Sequence, residues 1–192
     1  MCGIAGYWDL KQASTQQQLE SVVAQMRDTL VHRGPDGAGS WVDAQAGIAL
    51  GHRRLAILDL SEHGHQPMLS ASQRYTIVFN GEIYNYIELR QELGIDLFRT
   101  QSDTEVILRA WERWGVRCLD KLRGMFGFAV WNEKEQTLML ARDFFGIKPV
   151  YYAEIDGHFV FASEIKSILA FPGYERKVNQ KALEQYLSFQ YA

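Results

Sequence analysis

Apolar residues recur at helical spacing in several stretches of the chain, and polar residues suited to capping a helix stand at the start of most of them. The first stretch runs from Leu19 to Leu30, behind a capping-box signal at Ser14 and Thr15. The same signals predict further helices behind Asn85, behind Ser102, near Glu164–Leu169, and from Asn179 onward.

Short runs rich in β-branched and aromatic residues predict the strands. These runs are Gly3–Trp8, Ser40–Asp43, Gly47–Gly51, Tyr75–Phe79, Met125–Asn132, Thr137–Arg142, Val150–Glu154 and His158–Ala162. Asn80-Gly81 is expected to end the strand that begins at Tyr75. Because the strands fall in two batches, with helices between and after them, the order predicts an α+β fold with largely antiparallel sheets covered by helices.

Composition narrows the class of protein. A length of 192 residues suits one domain, or one domain with a short appendage. The net charge of −3 is nearly balanced and argues against nucleic acid or membrane partners. Two cysteines, Cys2 and Cys118, argue against a disulfide framework. No apolar run is long enough to span a bilayer, so we expect a cytoplasmic protein.

The second residue of the chain is a candidate nucleophile. Removal of Met1 would leave Cys2 with a thiol and a free α-amine, and the reference pKa of such an amine is about 7.7–8.0. One residue would then supply both a nucleophile and a base. The alternative is a cysteine that merely follows the start codon, and the rest of the chain must decide between the two.

Three downstream motifs could complete such a site, and each also has a purely structural interpretation. Arg53-Arg54 is either a solvated strand edge or, with one side chain turned inward, a carboxylate-binding fork. Asn80-Gly81 is typical of a hairpin turn, yet the residues after it resemble a helix start, so its amide groups could bind an oxyanion. Asp103 either complements a helix dipole or binds an ammonium group.

Other polar motifs carry less information. The segments His32–Asp36 and Arg142–Pro149 are turns on their own, and the second is more typical of an architectural element than of a catalytic one. His63 and His65 lack neighbours that would suggest a metal site. No phosphate-binding glycine loop with lysine and serine or threonine occurs.

Taken together, the motifs resemble the glutaminase domain of class II glutamine amidotransferases, specifically that of glutamine-dependent asparagine synthetases. The resemblance rests on Met1–Ile4, His32–Asp36, His52–Leu55, Asn80–Asn85, Ser102-Asp103 and Arg142–Pro149. It covers essentially the whole chain in the right order. It implies the four-layer αββα sandwich of the N-terminal nucleophile hydrolases, which agrees with the order of strands and helices.

The resemblance also implies a role for each site residue. Cys2 would attack the glutamine side-chain amide, and its α-amine would relay the proton. The other implied roles are an oxyanion hole from Asn80 and Gly81, an α-carboxylate site at Arg54 rather than Arg53, an α-ammonium site at Asp103 with Glu82 beside it, and main-chain contacts from Ile57 and Leu58. No cofactor or metal is expected in this chain.

The resemblance further implies an ammonia supply for a second domain. Residues 2–170 would form the glutaminase domain, and residues 171–192 a connector and the first helix of a C-terminal synthetase domain that uses ATP and magnesium. The expected partners are L-glutamine and that synthetase domain, with a homodimer left open. Aspartate is the favoured acceptor; a different acceptor, or a non-catalytic regulatory domain, is the alternative. Gln101 and Phe144-Phe145 depart from the common family pattern.

Overall fold

The computed structural model describes residues 1–56 and 64–190. Its strands are β1 (Gly3–Asp9), β2 (Gly37–Asp43), β3 (Ile48–Arg54), β4 (Met68–Leu69), β5 (Tyr75–Ile83), β6 (Gly124–Asn132), β7 (Thr137–Arg142), β8 (Tyr151–Ile155) and β9 (His158–Ala162). Its α-helices are α1 (Gln16–Asp28), α2 (Tyr86–Leu93), α3 (Asp103–Trp114), α4 (Ile165–Leu169) and α5 (Gln180–Phe189). Short 3₁₀ helices span Ile95–Leu97 and Gly115–Lys121.

The strands form two antiparallel sheets. The first has the order β2-β3-β1-β9-β8, and the second has the order β4-β5-β6-β7. In the first sheet, β1 lies between β3 and β9, so the strand that follows Cys2 is central. The expectation of largely antiparallel sheets is therefore confirmed.

Three apolar clusters show how the layers stack. Between the sheets, Ile48 and Phe161 of the first sheet pack with Val78 and Trp131 of the second. On its other face, the first sheet packs against α1 and α4. The outer face of the second sheet packs against α2 and α3. The layers thus follow the order helix, sheet, sheet, helix, which is the expected αββα sandwich.

Side-chain caps fix the helix starts that the sequence indicates. Thr15 and Gln18 form a reciprocal capping box before α1. Before α3, the hydroxyl of Ser102 accepts a hydrogen bond from the backbone N–H of Glu105 at 3.3 Å. Asn85 does precede α2 but does not cap it, because its side chain bonds the backbone of the segment before β6 instead.

The strand prediction at Asn80-Gly81 was wrong. β5 does not stop there, but continues to Ile83, because β6 pairs with it over its whole length. The two backbones come close at Gly81, where an added Cβ would lie 2.3 Å from the carbonyl oxygen of Met125. Only glycine fits so close a neighbour. Asn80 and Gly81 therefore lie inside a rigid, fully paired strand and not in a turn.

The last described helix stands apart from the core. No residue of α5 is buried, and Leu183, Tyr186 and Leu187 expose 40%, 56% and 73% of their surface. Asn179 caps the helix as expected, through a 3.2 Å hydrogen bond from the N–H of Ala182. Among the described residues, no helix is long and apolar enough to cross a membrane.

Candidate active site

A cavity of about 110 Å³ collects residues that are far apart in the sequence. Its lining includes six residues that the sequence singled out, namely Cys2, Arg54, Asn80, Gly81, Glu82 and Asp103. They come from the position just before β1, the end of β3, the second half of β5 and the start of α3. Both sheets and one helix therefore contribute to the same cavity. The other two expected site residues, Ile57 and Leu58, lie outside the described residues.

Hydrogen bonds hold both the side chain and the backbone of Cys2. Its Sγ lies 3.3 Å from the backbone N–H of Leu55, which donates to it, and its carbonyl oxygen accepts a 2.9 Å hydrogen bond from Nε of Arg33. Burial raises the pKa of the Cys2 thiol, whereas the Leu55 N–H, the N-terminal ammonium and Arg54 act in the opposite direction. The thiol is thus fixed in position and partly shielded from water.

The turn after α1 braces this arrangement. This turn contains Arg33 and Asp36. The carboxylate of Asp36 accepts a 2.9 Å hydrogen bond from the N–H of Ala56, and the backbone N–H of Asp36 donates to the Arg54 carbonyl at 3.0 Å. Glu164 binds Nη1 of Arg33 at 2.8 Å, which ties the turn to the segment before α4. A motif that is an ordinary turn by sequence therefore positions both Cys2 and Arg54.

The structure distinguishes between the two adjacent arginines. The guanidinium group of Arg53 donates to the carbonyl of Gly34 at 3.0 Å and lies 3.6 Å from Asp28, away from the cavity. Arg54 lines the cavity. Because successive side chains of a strand point to opposite faces, only one of the pair can face the site. Arg54 is that residue.

Asn80 brings an unsatisfied donor to the cavity. Its side chain is 1% exposed, and within residues 1–56 and 64–190 its Nδ2 has no hydrogen-bond partner. A buried amide without a partner costs about 1–3 kcal/mol, so its retention calls for an explanation. Gly81 follows it on the same strand and also lines the cavity.

Asp103 supplies a buried carboxylate at the first turn of α3. Its Oδ2 accepts a 2.9 Å hydrogen bond from the N–H of Ile83, at the end of β5. Burial raises the pKa of Asp103 to about 6, with Glu82 adding to the increase and the N–H groups of Ile83 and Thr104 opposing it. An opposite charge placed beside Asp103 would relieve this penalty.

Sequence reasoning missed two charged residues near the nucleophile. Lys148 lines the cavity although it is only 3% exposed, and Arg33 reaches the Cys2 carbonyl. Both lie in turns whose sequences indicate only a reversal of the chain. No local pattern reveals that a turn residue will point into a cavity built by distant strands.

The described residues contain no group of three or more histidine, cysteine, aspartate or glutamate side chains that could hold a metal ion. His63 lies outside the described residues. Cys118 is buried in the cluster between the second sheet and its helices, where burial raises the pKa of its thiol to about 12. The second cysteine is therefore a core residue.

Solved structures with the same architecture confirm the fold class. The glutamine phosphoribosylpyrophosphate amidotransferase of Bacillus subtilis superposes with a TM-score of 0.73 at 23% identity, over 93% of this chain and 45% of that one. A structure described as the allosteric regulatory enzyme of purine biosynthesis matches equally, with a TM-score of 0.73 and 24% identity. These likenesses and the order of the layers show the four-layer αββα fold of the N-terminal nucleophile hydrolase type.

Residues 1–192 match the model of the glutamine amidotransferase domain, and the chain belongs to that family. Asparagine synthetase (glutamine-hydrolysing) 1 of Bacillus subtilis strain 168 is 44% identical over 193 residues, which is 100% of this chain and 30% of the relative. A putative asparagine synthetase (glutamine-hydrolysing) of Mycobacterium tuberculosis H37Rv is 42% identical over 89% of the chain and 28% of its own length. The chain thus spans under a third of the length of these relatives.

Proposed function

We propose that this domain hydrolyses L-glutamine to glutamate and ammonia, with Cys2 as the nucleophile once Met1 has been removed. The observation that carries the proposal is the cavity in which a fixed thiol, a cation, a carboxylate and an unsatisfied amide donor meet. Glutamine combines a zwitterionic end with a side-chain amide, and these four groups complement it part by part.

The zwitterionic end of glutamine would bind between Arg54 and Asp103. A guanidinium fork matches a carboxylate, and a buried carboxylate matches an ammonium group. The raised pKa of Asp103 supports this assignment, because the site gains stability when a cation enters beside it. Glu82 lines the same cavity and adds negative charge on that side.

The chemical step would be acyl transfer through a thioester. The Cys2 sulfur attacks the amide carbon, and the α-amine of Cys2 takes the thiol proton. It then passes the proton to the leaving nitrogen, so ammonia departs and a glutamyl thioester remains. Water, deprotonated by the same amine, attacks the thioester and releases glutamate with the thiol restored.

Asn80 and Gly81 would stabilise the negative oxygen of the tetrahedral intermediate. This role accounts for the buried Nδ2 of Asn80, which has no partner in the described part of the chain but would gain one in the transition state. Because β5 is fully paired with β6 and the side chain of Asn80 is buried, both donors have little freedom to move before the substrate arrives. Preorganised donors of this kind contribute about 10²–10³-fold to the rate.

Retained Met1 should block the reaction. Met1 itself lines the cavity, and its peptide bond to Cys2 removes the free α-amine that the mechanism requires. The active form would therefore be the processed chain. The expected main-chain contacts from Ile57 and Leu58 remain part of the proposal.

The test combines a glutamine-analogue electrophile with intact mass measurement of the processed protein. We expect one adduct on Cys2, and we expect Cys2→Ala to lose both the adduct and glutaminase activity. Asn80→Ala should still form the adduct but turn over about 10²–10³-fold more slowly, because it keeps the nucleophile and loses the oxyanion donor. A Cys2→Ala protein that hydrolyses glutamine at the parent rate would refute the proposal.

We further propose that the ammonia serves an ATP-dependent amidation, with aspartate as the favoured acceptor. Residues 2–170 would be the glutaminase domain, and 171–192 the connector to a synthetase domain that binds ATP and magnesium. The names and lengths of the relatives support this, as does the exposed apolar face of α5. Assaying the full-length protein with glutamine, ATP and aspartate would test it: failure to form asparagine while glutamine is hydrolysed would favour a different acceptor.

A further inference from the structure

A buried lysine lies beside the nucleophile and has no part in the mechanism above. Lys148 is 3% exposed and lines the same cavity as Cys2. Its Nζ lies 2.7 Å from Sδ of Met1, the residue bonded directly to the nitrogen of Cys2. Removal of Met1 takes this contact away and leaves Lys148 in the cavity that Cys2 also lines.

The position of Lys148 is set by the fold. The carboxylate of Asp143 accepts hydrogen bonds from the N–H groups of Ile147 at 2.8 Å, Lys148 at 2.9 Å and Phe126 at 3.1 Å. These bonds fasten the turn after β7 to β6. Burial raises the pKa of Asp143, but the hydrogen bonds outweigh burial and the pKa is lowered. Lys148 therefore projects from a backbone with little freedom to move.

The charged groups around Lys148 show that it interacts electrostatically with Cys2. Burial and Arg33 lower the pKa of Lys148, while Cys2, Glu82 and Asp143 raise it. The ordinary lysine pKa of about 10.4 lies far above neutral pH, which leaves room for a decrease without loss of the charge. Since electrostatic interactions are mutual, the ammonium group must also favour the anionic form of Cys2.

We propose that Lys148 is a positioning residue whose charge keeps the α-amine of Cys2 neutral in the processed chain, able to take the thiol proton, and eases the loss of that proton from the thiol. A nearby cation stabilises an anion and destabilises another cation, so one ammonium group acts on both ionisable groups of residue 2 in the direction that the reaction needs. The catalytic benefit of this arrangement rests on the proposed function, whereas the experiment that tests it does not require glutamine hydrolysis.

The other charged groups around Cys2 do not replace Lys148. Arg54 from β3 and Asp103 from α3 influence the thiol with opposite signs, and in the proposed complex each is paired with an ion of the substrate. Glu82 from β5 lines the cavity and offsets part of the charge of Lys148. Arg33, in the turn after α1, contacts the Cys2 carbonyl through Nε, but its charge is paired with Glu164. Lys148 is thus a cation of the cavity whose charge is paired neither with Glu164 nor, in the proposed complex, with the substrate.

The experiment measures how fast iodoacetamide alkylates Cys2 in the processed protein as a function of pH, with the adduct located by peptide mass. We expect Lys148→Met to raise the midpoint of this profile by about one pH unit, which makes alkylation roughly tenfold slower below the midpoint. Lys148→Gln should do the same, which guards against a folding defect in one variant. Lys148→Arg keeps the charge and should keep the parent midpoint.

Lys181→Met is the matched control, because it removes the same charge from an exposed position on α5. Midpoints equal to the parent in both Lys148→Met and Lys148→Gln would overturn the inference. Alkylation does not depend on turnover, so a shifted midpoint in a protein that fails to hydrolyse glutamine would support this inference and refute the proposed function. Where glutamine is hydrolysed, the acidic limb of kcat/KM should also move to higher pH in Lys148→Met.

Discussion

At the scale of single residues, two groups of the candidate site are unfavourable in the protein alone. Asp103 carries a carboxylate whose pKa burial raises to about 6, and Asn80 keeps a buried amide nitrogen without a partner in the described residues. Neither arrangement stabilises the empty protein. An ammonium group beside Asp103 and an oxyanion at Asn80 would remove these unfavourable contributions. In the proposed function, the first would happen on substrate binding and the second in the transition state.

The titration of Asp103 predicts the pH dependence of substrate binding. If Asp103 binds the α-ammonium group as proposed, only its carboxylate form can do so, and KM for glutamine should be flat above about pH 7 and rise about tenfold per unit below about pH 6. Steady-state kinetics from about pH 5 to about pH 8 would measure this. A KM that stays constant through pH 6 would contradict the assignment.

The same shift has a defined sign for stability. The folded pKa of Asp103 lies above the unfolded value of about 3.9, so the folded state holds the proton more tightly and stability from this group is lost as pH rises through about 6. Asp103→Asn should therefore melt no lower than the parent at about pH 8, while its use of glutamine is lost. A clearly lower melting temperature would show that the carboxylate has a structural role.

At the scale of elements, local patterns predicted those boundaries that local interactions decide. Ser102 caps α3 where the sequence indicates, and Thr137–Arg142 and His158–Ala162 are strands with the expected bounds. The end of β5 was missed because it depends on a partner: β6 pairs with Gly81 and with residues beyond it. A residue pair that favours turns in isolation remains extended when a neighbouring strand satisfies its backbone.

Gly81 should be sensitive to the smallest enlargement. In Gly81→Ala, the new Cβ would lie 2.3 Å from the Met125 carbonyl oxygen and 2.7 Å from Cα of Phe126, so β5 and β6 must separate. We expect a loss of about 1–3 kcal/mol in the free energy of unfolding, measured by urea denaturation. Gly37→Ala is the control, since its Cβ meets Arg54 Cβ at an ordinary 3.6 Å. Equal stability of the two variants would contradict the close approach.

Some residues of the candidate site could likewise be predicted from the sequence, and others could not. Cys2, Arg54, Asn80, Gly81 and Asp103 could be identified because their motifs together carry a family resemblance, and the structure brings them into one cavity. Lys148 and Arg33 lie in motifs that also carry the resemblance, but their place in the site could not be predicted, because the directions of their side chains depend on how turns pack against distant strands. Ile57 and Leu58 lie outside the described residues, and their contacts stay a prediction.

At the scale of the whole molecule, the cavity depends on the contact between the two sheets. Arg54 belongs to the first sheet and Cys2 directly precedes its strand β1, whereas Asn80 and Gly81 belong to the second sheet. Nε2 of His52 lies 3.1 Å from the Phe79 carbonyl, and burial lowers the pKa of His52 to about 3, so a neutral histidine links β3 to β5 beside the site. The apolar layer between the sheets supplies the rest of the contact.

Trp131 is the largest fully buried side chain in that layer, and its ring packs edge-on against Trp8 with centroids 5.3 Å apart. Trp131→Ala should lower the free energy of unfolding by about 3–5 kcal/mol, because it removes a large side chain and leaves a cavity between the sheets. Phe189→Ala, on a side chain 77% exposed, should change it by less than about 0.5 kcal/mol. Chemical denaturation would measure the free energy of unfolding of both variants. Similar decreases in the two would contradict the central place of Trp131 in the core.

The pairing of β1 with β9 has a consequence for the order of events during synthesis. The strand behind Cys2 obtains one of its neighbours from residues near the far end of the domain, and Ser163 then bonds both backbone groups of Ile4. Because a ribosome adds about 5–20 residues each second, several seconds separate the emergence of the two strands. During that interval the N-terminus is outside the ribosome without a finished pocket around it. An enzyme that removes Met1, as the proposed function requires, would reach its target in that interval, and the thiol would enter its final surroundings already processed.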